Sequence, residues 1–483
     1  MVLTEEPPGK PASHSITMDN QVGTFLICPD CSGGGSSTMN IEISGGLIYE
    51  IINADPDWVQ GEGGHFLSGT KVILPVGTEI IAPIAKIDFK GGKPRVWVDE
   101  SEGQNKRHCP ARPRKILITG SSGYVGQHLL SSLSLQGIIS STNSSNEGRG
   151  DAYELFLAYN DLSTFEDDVK LLFDNTNTHS SIVKIQPIPN VDFSKVDYIH
   201  TIQQTVGSTT LDAIIHLAAL SSPAFCENHV ADAWRINCPT DLLSFHAPII
   251  YLSTDQVYEG TKSYYQEDTD ETLPANVYGR TKLAFERVLL GNSDKLLSEI
   301  ELGSHAAIDG QYIPDIKSVP PPNNKSIILR CSLILGGPTP LKRGCRKGAF
   351  PSFLQFIESR LQSSTDTEYF VNEYRSVVSV DDVLRAIRHF LIKVLDGDDS
   401  SLGKTGLYNL GGSARVSRYD IALQLAKHLK LDESTAHGVE RPTSAVGVPS
   451  PPDISMNVTK IEKEMGGAKM DGLREIIQKT FRL

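Results

Sequence analysis

The stretch Lys115-Ile-Leu-Ile-Thr-Gly-Ser-Ser-Gly-Tyr-Val-Gly126 constrains this chain more than any other part of it. A short apolar run ends in Gly120, Gly123 and Gly126, and an apolar helix pattern follows from Tyr124. That order reads as a buried strand, a tight turn and a helix, the opening of a βαβ unit. Each glycine has its own role in this reading. Gly120 permits the turn, Gly123 lets backbone approach a pyrophosphate, and Gly126 lets helix and strand pack closely. The helix start, with Ser122, Tyr124 and Val125, offers N–H groups and a favourable dipole to phosphates.

The flanking sequence keeps the same grammar. Tyr153–Tyr159, Ala213–His216, Pro248–Ser253 and Ile327–Arg330 are further strand candidates, separated by helix-length segments. Strands spaced by helices predict a parallel sheet covered on both faces. Three stretches interrupt the pattern and read as surface insertions: the Ser/Asn/Gly tract 140–150, the polar run 174–190, and 292–325 with its three consecutive prolines. Ahead of this body, residues 24–99 alternate β-branched runs with glycine-rich breaks, which predicts a small all-β module of unassigned role. Residues 1–23 are polar and proline-rich and are expected to be disordered, and 100–114 reads as a charged linker.

Composition narrows the function classes. The chain has 483 residues and a net charge of −13, from 58 acids and 45 bases. No long basic run supplies a phosphate-neutralising face, so nucleic acid and anionic membrane surfaces are not expected partners. No segment approaches the ~18 consecutive apolar residues of a membrane span. The N-terminus lacks the apolar core of a secretory signal, and seven scattered cysteines suit a reducing compartment, so a cytoplasmic protein is expected. Cys28-Pro-Asp-Cys31 supplies two of the four ligands a structural zinc needs. The further candidates nearby are His65, His108 and Cys109, and the preferred reading is two thiols in a glycine-rich turn with no metal.

The chemistry resides further along. Tyr278-Gly-Arg-Thr-Lys282 sets a phenol and an ammonium at i and i+4, on one helix face. A neighbouring ammonium is expected to lower the phenol pKa from ~10, fitting Tyr278 for proton transfer at a carbonyl or alcohol. Upstream, Ser253-Thr254-Asp255 closes a strand, from which Thr254 reaches the same substrate oxygen. Asn160 ends the second strand without an adjacent arginine, leaving NAD and NADP both open. Asp192 and Phe193 fall where an adenine is expected. Leu217, Ala218 and Ala219 form a small-residue shelf after the strand ending in His216; strand-to-helix packing is the other reading of the two alanines. His216 itself, and the Cys226 and Cys238 thiols, read as core.

These motifs carry a family resemblance. From Lys115 to the C-terminus, about three quarters of the chain, the sequence resembles the extended short-chain dehydrogenase/reductases. It is most similar to the dTDP-4-dehydrorhamnose reductase group, which includes the regulatory β subunit of methionine adenosyltransferase. The matching text is Ile116 to Gly126, His216 to Ala219, Tyr251-Leu-Ser-Thr-Asp-Gln-Val-Tyr-Glu-Gly260 and Val277 to Leu283. It continues through Leu329 to Gly336, Arg375 to Val383, and Arg441-Pro442. The resemblance implies a Rossmann-type doubly wound sheet over 115–335 and a smaller C-terminal substrate domain over 336–483 with interleaved Rossmann segments. It further implies NADP(H) or NAD(H) as cofactor and Thr254, Tyr278 and Lys282 as catalytic residues. Lys282 would also bond the nicotinamide ribose, Asn237 would support the site, and Asp255 and Arg375 would face the substrate. The expected activity is reduction of a keto group on a nucleotide sugar or related carbonyl. The alternative is a dinucleotide-binding regulatory subunit of a larger enzyme, and a homodimer fits either. Epimerase or dehydratase chemistry ranks third, because Gln256 follows Asp255 where a second acid would stand. Arg375-Ser-Val-Val also lacks a proline that the rhamnose reductases often carry there.

Overall fold

In the computed structural model the chain divides into two units, residues 1–111 and 112–483. In the first, eight strands are described; in the second, residues 113–137, 152–160, 165–174, 182–207, 210–292, 322–323, 325–341, 352–396, 405–442 and 447–482 are described. Cys28, Cys31, His65, His108 and Cys109, the tract 140–150 and most of 292–325 lie outside them.

The first unit is built of antiparallel pairings, as its β-branched runs imply. Val2–Thr4, Ser13–Met18 and Gln21–Leu26 form one sheet, Ile41–Ile43, Gly46–Glu50 and Lys71–Leu74 a second, and Ile84–Lys90 pairs with Lys93–Val98. Within residues 1–23, the short strands at 2–4 and 13–18 carry the β-formers Val2, Ile16 and Thr17.

In the second unit, Ile116, Leu117 and Ile118 are all fully buried, so their strand must have both faces covered. It is the centre of a seven-stranded parallel sheet. In chain order the strands are β1 (Arg114–Thr119), β2 (Tyr153–Ala158), β3 (Ile182–Ile188), β4 (Ala213–His216), β5 (Ile249–Thr254), β6 (Ile327–Cys331) and β7 (Gly406–Leu410). Their order in space is 3-2-1-4-5-6-7, every neighbouring pair parallel. The order reverses between β1 and β4, and a doubly wound sheet opens its crevice at the carboxyl ends there.

Each face carries its own core. On one, helix α1 (Tyr124–Gln136) presents Leu129, Leu130 and Leu133 beside Ile387, Phe390 and Leu391 of a helix over Val380–Asp396. On the other, Trp234, Tyr251, Phe285 and Ile328 pack together. A third cluster, including Leu354, Tyr369, Leu425 and Ile476, belongs to the smaller C-terminal lobe. The helix 380–396 leads into β7, so the last sheet strand is reached only after the chain has begun the second lobe.

One expectation fails here. The polar run 174–190 is no surface insertion: its second half, Ile182–Ile188, is the sheet's edge strand, paired along β2. Edge strands tolerate the lysine, glutamine and proline that disguise it. Lys184 secures the pairing with an ion pair to Glu154 at 2.9 Å. Among the described residues, no helix is long and apolar enough to cross a membrane.

Candidate active site

A cleft of about 440 Å³ lies over the carboxyl ends of β1, β4, β5 and β6. Its floor begins at the glycine turn. Gly120 has φ +67°, and a Cβ there would stand 2.6 Å from the Ala218 nitrogen. A Cβ on Gly126 would stand 2.4 Å from the Gly120 oxygen, so α1 starts in contact with the turn itself. Gly123 is different: its added Cβ would meet only the Gly120 oxygen, at 3.1 Å. Gly123 is also the N-cap of α1, and the first turn of the helix holds no acidic residue. That end therefore suits an anion, by dipole and by its N–H groups. Tyr124 fixes the approach of the second lobe by donating to the Gly337 carbonyl at 2.9 Å, and Gln127 accepts from the Leu341 N–H at 3.2 Å.

Gly120, Gly123, Tyr124, Val125, Gly126, Leu217, Ala219, Thr254, Asp255, Tyr278, Lys282 and Arg375 all face this one cleft. Ser122, Asn160, Asp192, Phe193 and Ala218 are outside its wall. The Ala218 backbone lies close against Gly120. The Asp192 carboxylate accepts from the Ser194 N–H at 3.0 Å and hydroxyl at 2.7 Å, closing a turn, while Phe193 is buried against Tyr198 with ring centroids 4.5 Å apart.

Helix α2 (Val277–Leu289) carries Tyr278 and Lys282 into the cleft, capped by Asn276, whose side chain accepts from the Gly279 N–H at 2.9 Å. Thr254 ends β5 and lines the same cleft as Tyr278 and Lys282. The Thr254 hydroxyl accepts from the Gln256 N–H at 3.2 Å and donates to Asp255 Oδ1 at 3.2 Å. Lys282 donates to the Leu252 carbonyl at 2.7 Å and lies 4.2 Å from the centre of the Tyr251 ring.

The electrostatics correct one expectation. The ammonium was expected to lower the phenol pKa, but the phenol is raised above its ordinary value. Burial is the largest cause, the nearby Thr254 hydroxyl opposes it, and the Asp255 charge adds to it. Burial also pulls Lys282 down from 10.5 to about 7, against the raising influence of Glu286. A lysine near pKa 7 is only about half charged at neutral pH and stabilises a phenolate correspondingly less. Tyr278 is therefore held as a phenol.

The opposite wall comes from the second lobe. Arg375 is buried. It donates to the Tyr374 carbonyl at 2.8 Å and the Ser450 hydroxyl at 3.2 Å, with Asp255 and Glu373 as its main opposing charges. Arg418 joins it and is tied to Glu373 at 3.2 Å. Ser332, after β6, donates to Asp255 Oδ2 at 2.8 Å. Arg418, Ser332, Cys331 and Ser352 were not singled out from sequence, since each lies at a strand or helix end that only the tertiary fold brings to the cleft.

Behind the site the support is polar. Ser253 donates to Glu286 at 2.5 Å, Glu286 pairs with Arg330 at 2.7 Å, and Arg330 donates to Tyr258, whose hydroxyl donates to Asn409 at 2.7 Å. Asn237 accepts from the Leu220 N–H at 2.9 Å and donates to the Leu220 carbonyl and the Thr281 hydroxyl, clamping the β4 loop to α2. His216 is enclosed by Phe193, Tyr251 and Phe285 and bonds Thr119 at 2.7 Å. Burial drives its pKa well down, so it is a neutral core residue, as are the buried thiols Cys226 and Cys238. Among the described residues no cluster of three or more metal-ligating side chains forms.

Comparison with known proteins agrees with this geometry. The family model for the RmlD substrate binding domain matches residues 114–297. The methionine adenosyltransferase 2 subunit beta of Bos taurus is 36% identical over 86 residues, 17% of this chain and 25% of that protein. The dTDP-4-dehydrorhamnose reductase of Aggregatibacter actinomycetemcomitans is 31% identical over 113 residues, 22% of this chain and 38% of that protein. The chain thus spans between 25% and 38% of the lengths of these two relatives. A solved UDP-glucose-4-epimerase from Stenotrophomonas maltophila, with bound NAD and formylated UDP-arabinopyranose, shares the fold with a TM-score of 0.51 at 16% identity. The match covers 76% of this chain and 96% of that one. The sheet order and the glycine turn agree with that family match, and residues 114–297 are similar to the RmlD substrate binding domain.

Proposed function

We propose that this protein is an NAD(P)H-dependent reductase of a keto group on a nucleotide sugar. The observation that carries the reading is convergence. The glycine turn, Thr254, Tyr278 and Lys282 share one cleft with Arg375 and Arg418. The residues present fit a dinucleotide: Gly123 keeps the start of α1 open, and no acid of the first turn repels a pyrophosphate. Gly120, Gly123 and the N–H groups of Tyr124 and Val125 would hold the phosphates. Leu217 and Ala219 would flank the nicotinamide half, and Asn160, Asp192 and Phe193 lie on the side proposed for the adenosine. When bound, the reduced nicotinamide supplies a hydride.

The chain's own residues supply the rest. Tyr278, held as a phenol, gives its proton to the carbonyl oxygen as negative charge develops there. The Thr254 hydroxyl orients that oxygen. Lys282 adds positive charge beneath the phenol and reaches the ribose. Arg375 and Arg418 offer planar, multi-donor groups to an anionic diphosphate. Relatives support the substrate class: dTDP-4-dehydrorhamnose reductases match this chain, and the similar epimerase structure holds a UDP-sugar. The test is titration of the purified chain with NADH and NADPH, followed by turnover of dTDP-4-dehydrorhamnose. Binding with turnover that Tyr278→Phe abolishes supports the reading; binding with no turnover of any keto nucleotide sugar refutes it.

A second reading is a regulatory subunit of a larger enzyme. It is favoured by the similarity to methionine adenosyltransferase 2 subunit beta and by the separate unit at 1–111. Co-purification with a larger enzyme, lost on deleting residues 1–110, would support it.

A further inference from the structure

Gln256 lines the cleft two residues after Thr254 and takes no part in the proton and hydride transfers. Its backbone is pinned on both sides. The Gln256 N–H donates to the Thr254 hydroxyl at 3.2 Å. On the other side its carbonyl oxygen leaves no room for a Cβ on Gly279, so the first turn of α2 closes directly on it.

The side chain is held as firmly, and by one end only. Asn276 can stand one way round: its Oδ1 accepts from the Gly279 N–H at 2.9 Å, and its Nδ2 donates to the Pro449 carbonyl at 3.0 Å. A backbone N–H only donates and a backbone carbonyl only accepts, so the two ends of this amide cannot be exchanged. The same Nδ2 donates to Gln256 Oε1 at 2.7 Å. The end of Gln256 toward Asn276 is therefore its oxygen, and the other end is an NH2 group with two protons. Among the described residues no acceptor takes those protons, and Nε2 is not one of the buried atoms that lack a partner. Gln256 thus brings an oriented, open pair of donors to the cleft.

Its surroundings indicate what those donors meet. Asn276 stands two residues before Tyr278 and, on its other side, holds Pro449; the next residue, Ser450, accepts from Arg375 at 3.2 Å. These links place Gln256 on the wall between the phenol that faces the reacting carbonyl and the arginine offered to the diphosphate. In a nucleotide sugar, the part between those two is the sugar ring, whose neutral oxygens accept hydrogen bonds. An ionised acid in place of Gln256 could be held by Asn276 equally well, but it would present acceptors alone.

We propose that Gln256 is a specificity residue of the site, its Asn276-held carboxamide donating to an oxygen of the sugar ring in a nucleotide sugar. The inference deepens the reductase reading and rests on it for the substrate class. No bond is made or broken at Gln256. Because the amide is already ordered, binding spends little rotamer freedom on the contact.

The experiment measures binding to the full chain in the presence of NADP+, with dTDP and the reduction product dTDP-rhamnose as probes, and turnover of dTDP-4-dehydrorhamnose with NADPH. Wild-type chain binds dTDP-rhamnose more tightly than dTDP. Gln256→Met keeps the length of the side chain and removes its donors. It should weaken dTDP-rhamnose about 10-fold, the loss of one neutral hydrogen bond, and leave the affinities for dTDP and NADPH unchanged. KM for dTDP-4-dehydrorhamnose rises by a similar factor while kcat holds. Gln256→Ala gives the same selective loss and serves as the test should Gln256→Met fail to fold. Equal weakening of dTDP and dTDP-rhamnose, or no weakening of either, overturns the assignment. Wild-type chain that shows the Gln256-dependent binding of dTDP-rhamnose yet never turns over supports the assignment and overturns the reductase reading alone. Wild-type chain that binds no nucleotide sugar overturns both.

Discussion

Substituting Gly123 and Gly126 separately by alanine distinguishes a turn built for packing from one built for a pyrophosphate. At Gly126 the new methyl would stand 2.4 Å from the Gly120 oxygen and 2.6 Å from the Ser121 oxygen, both backbone atoms that cannot rotate away. Overpacking of this kind costs about 1–3 kcal/mol. Gly126→Ala therefore lowers the melting temperature and, by displacing the turn, weakens NADPH binding as well. At Gly123 the backbone has φ −74° and ψ 173°, open to any residue, and the methyl meets one atom at 3.1 Å. The folded chain should tolerate Gly123→Ala within about 0.5 kcal/mol. A phosphate approaching that backbone would still be pushed outward. Loss of one charge-assisted N–H bond costs about 1.5–3 kcal/mol, or roughly 10- to 100-fold in Kd. Thermal unfolding and NADPH titration of both variants read the two effects independently. Gly123→Ala binding NADPH with wild-type affinity would refute the assignment of this turn to a pyrophosphate.

Three further outcomes follow from the same geometry. Lys282→Met should change the pH dependence of stability. The folded-state pKa of Lys282 is lowered to about 7, so the unfolded chain binds the extra proton between about pH 7 and 10.5. Wild-type stability accordingly gains over that window relative to the methionine variant, and parallel melting-temperature curves across it would contradict the buried placement. Asn237→Ala leaves the half-buried Leu220 N–H and the buried Thr281 hydroxyl without this partner; urea titration should show a loss of about 1–3 kcal/mol. Arg330→Met strands the Glu286 carboxylate in the core, and chemical denaturation should register about 3–5 kcal/mol, against a much smaller loss for Arg330→Met combined with Glu286→Leu.

Local signals made much of the site legible in the sequence. The glycine turn could be read because strand, turn and helix are adjacent in the chain, and the Tyr278–Lys282 pair because i, i+4 places both on one face. What escaped depends on distant neighbours. Ile182–Ile188 contains Lys184, Gln186 and Pro187 and looks like a loop until the free edge of β2 is there to receive it. Gly406–Leu410 holds a glycine and an asparagine in five residues. It is a strand because it pairs with β6 and because buried Asn409 bonds the Tyr265 carbonyl at 2.8 Å. Arg418 could be read only as the start of a helix behind Ser417 and Asp420, whose reciprocal bonds form a capping box. The sign of the Tyr278 shift was missed for a similar reason. Spacing shows that an ammonium is near, but not that both groups are desolvated, and here desolvation outweighs the neighbouring charge.

The most direct test of the central claim is isotope transfer from the cofactor to the sugar. Full-length chain is incubated with NADPH carrying deuterium at the transferable ring position and with dTDP-4-dehydrorhamnose, and the product is analysed by mass spectrometry. A reductase at this cleft places one deuterium on the former carbonyl carbon, and Tyr278→Phe binds NADPH yet yields no labelled sugar. Saturable NADPH binding by the wild-type chain with no deuterium in any sugar product would contradict the account.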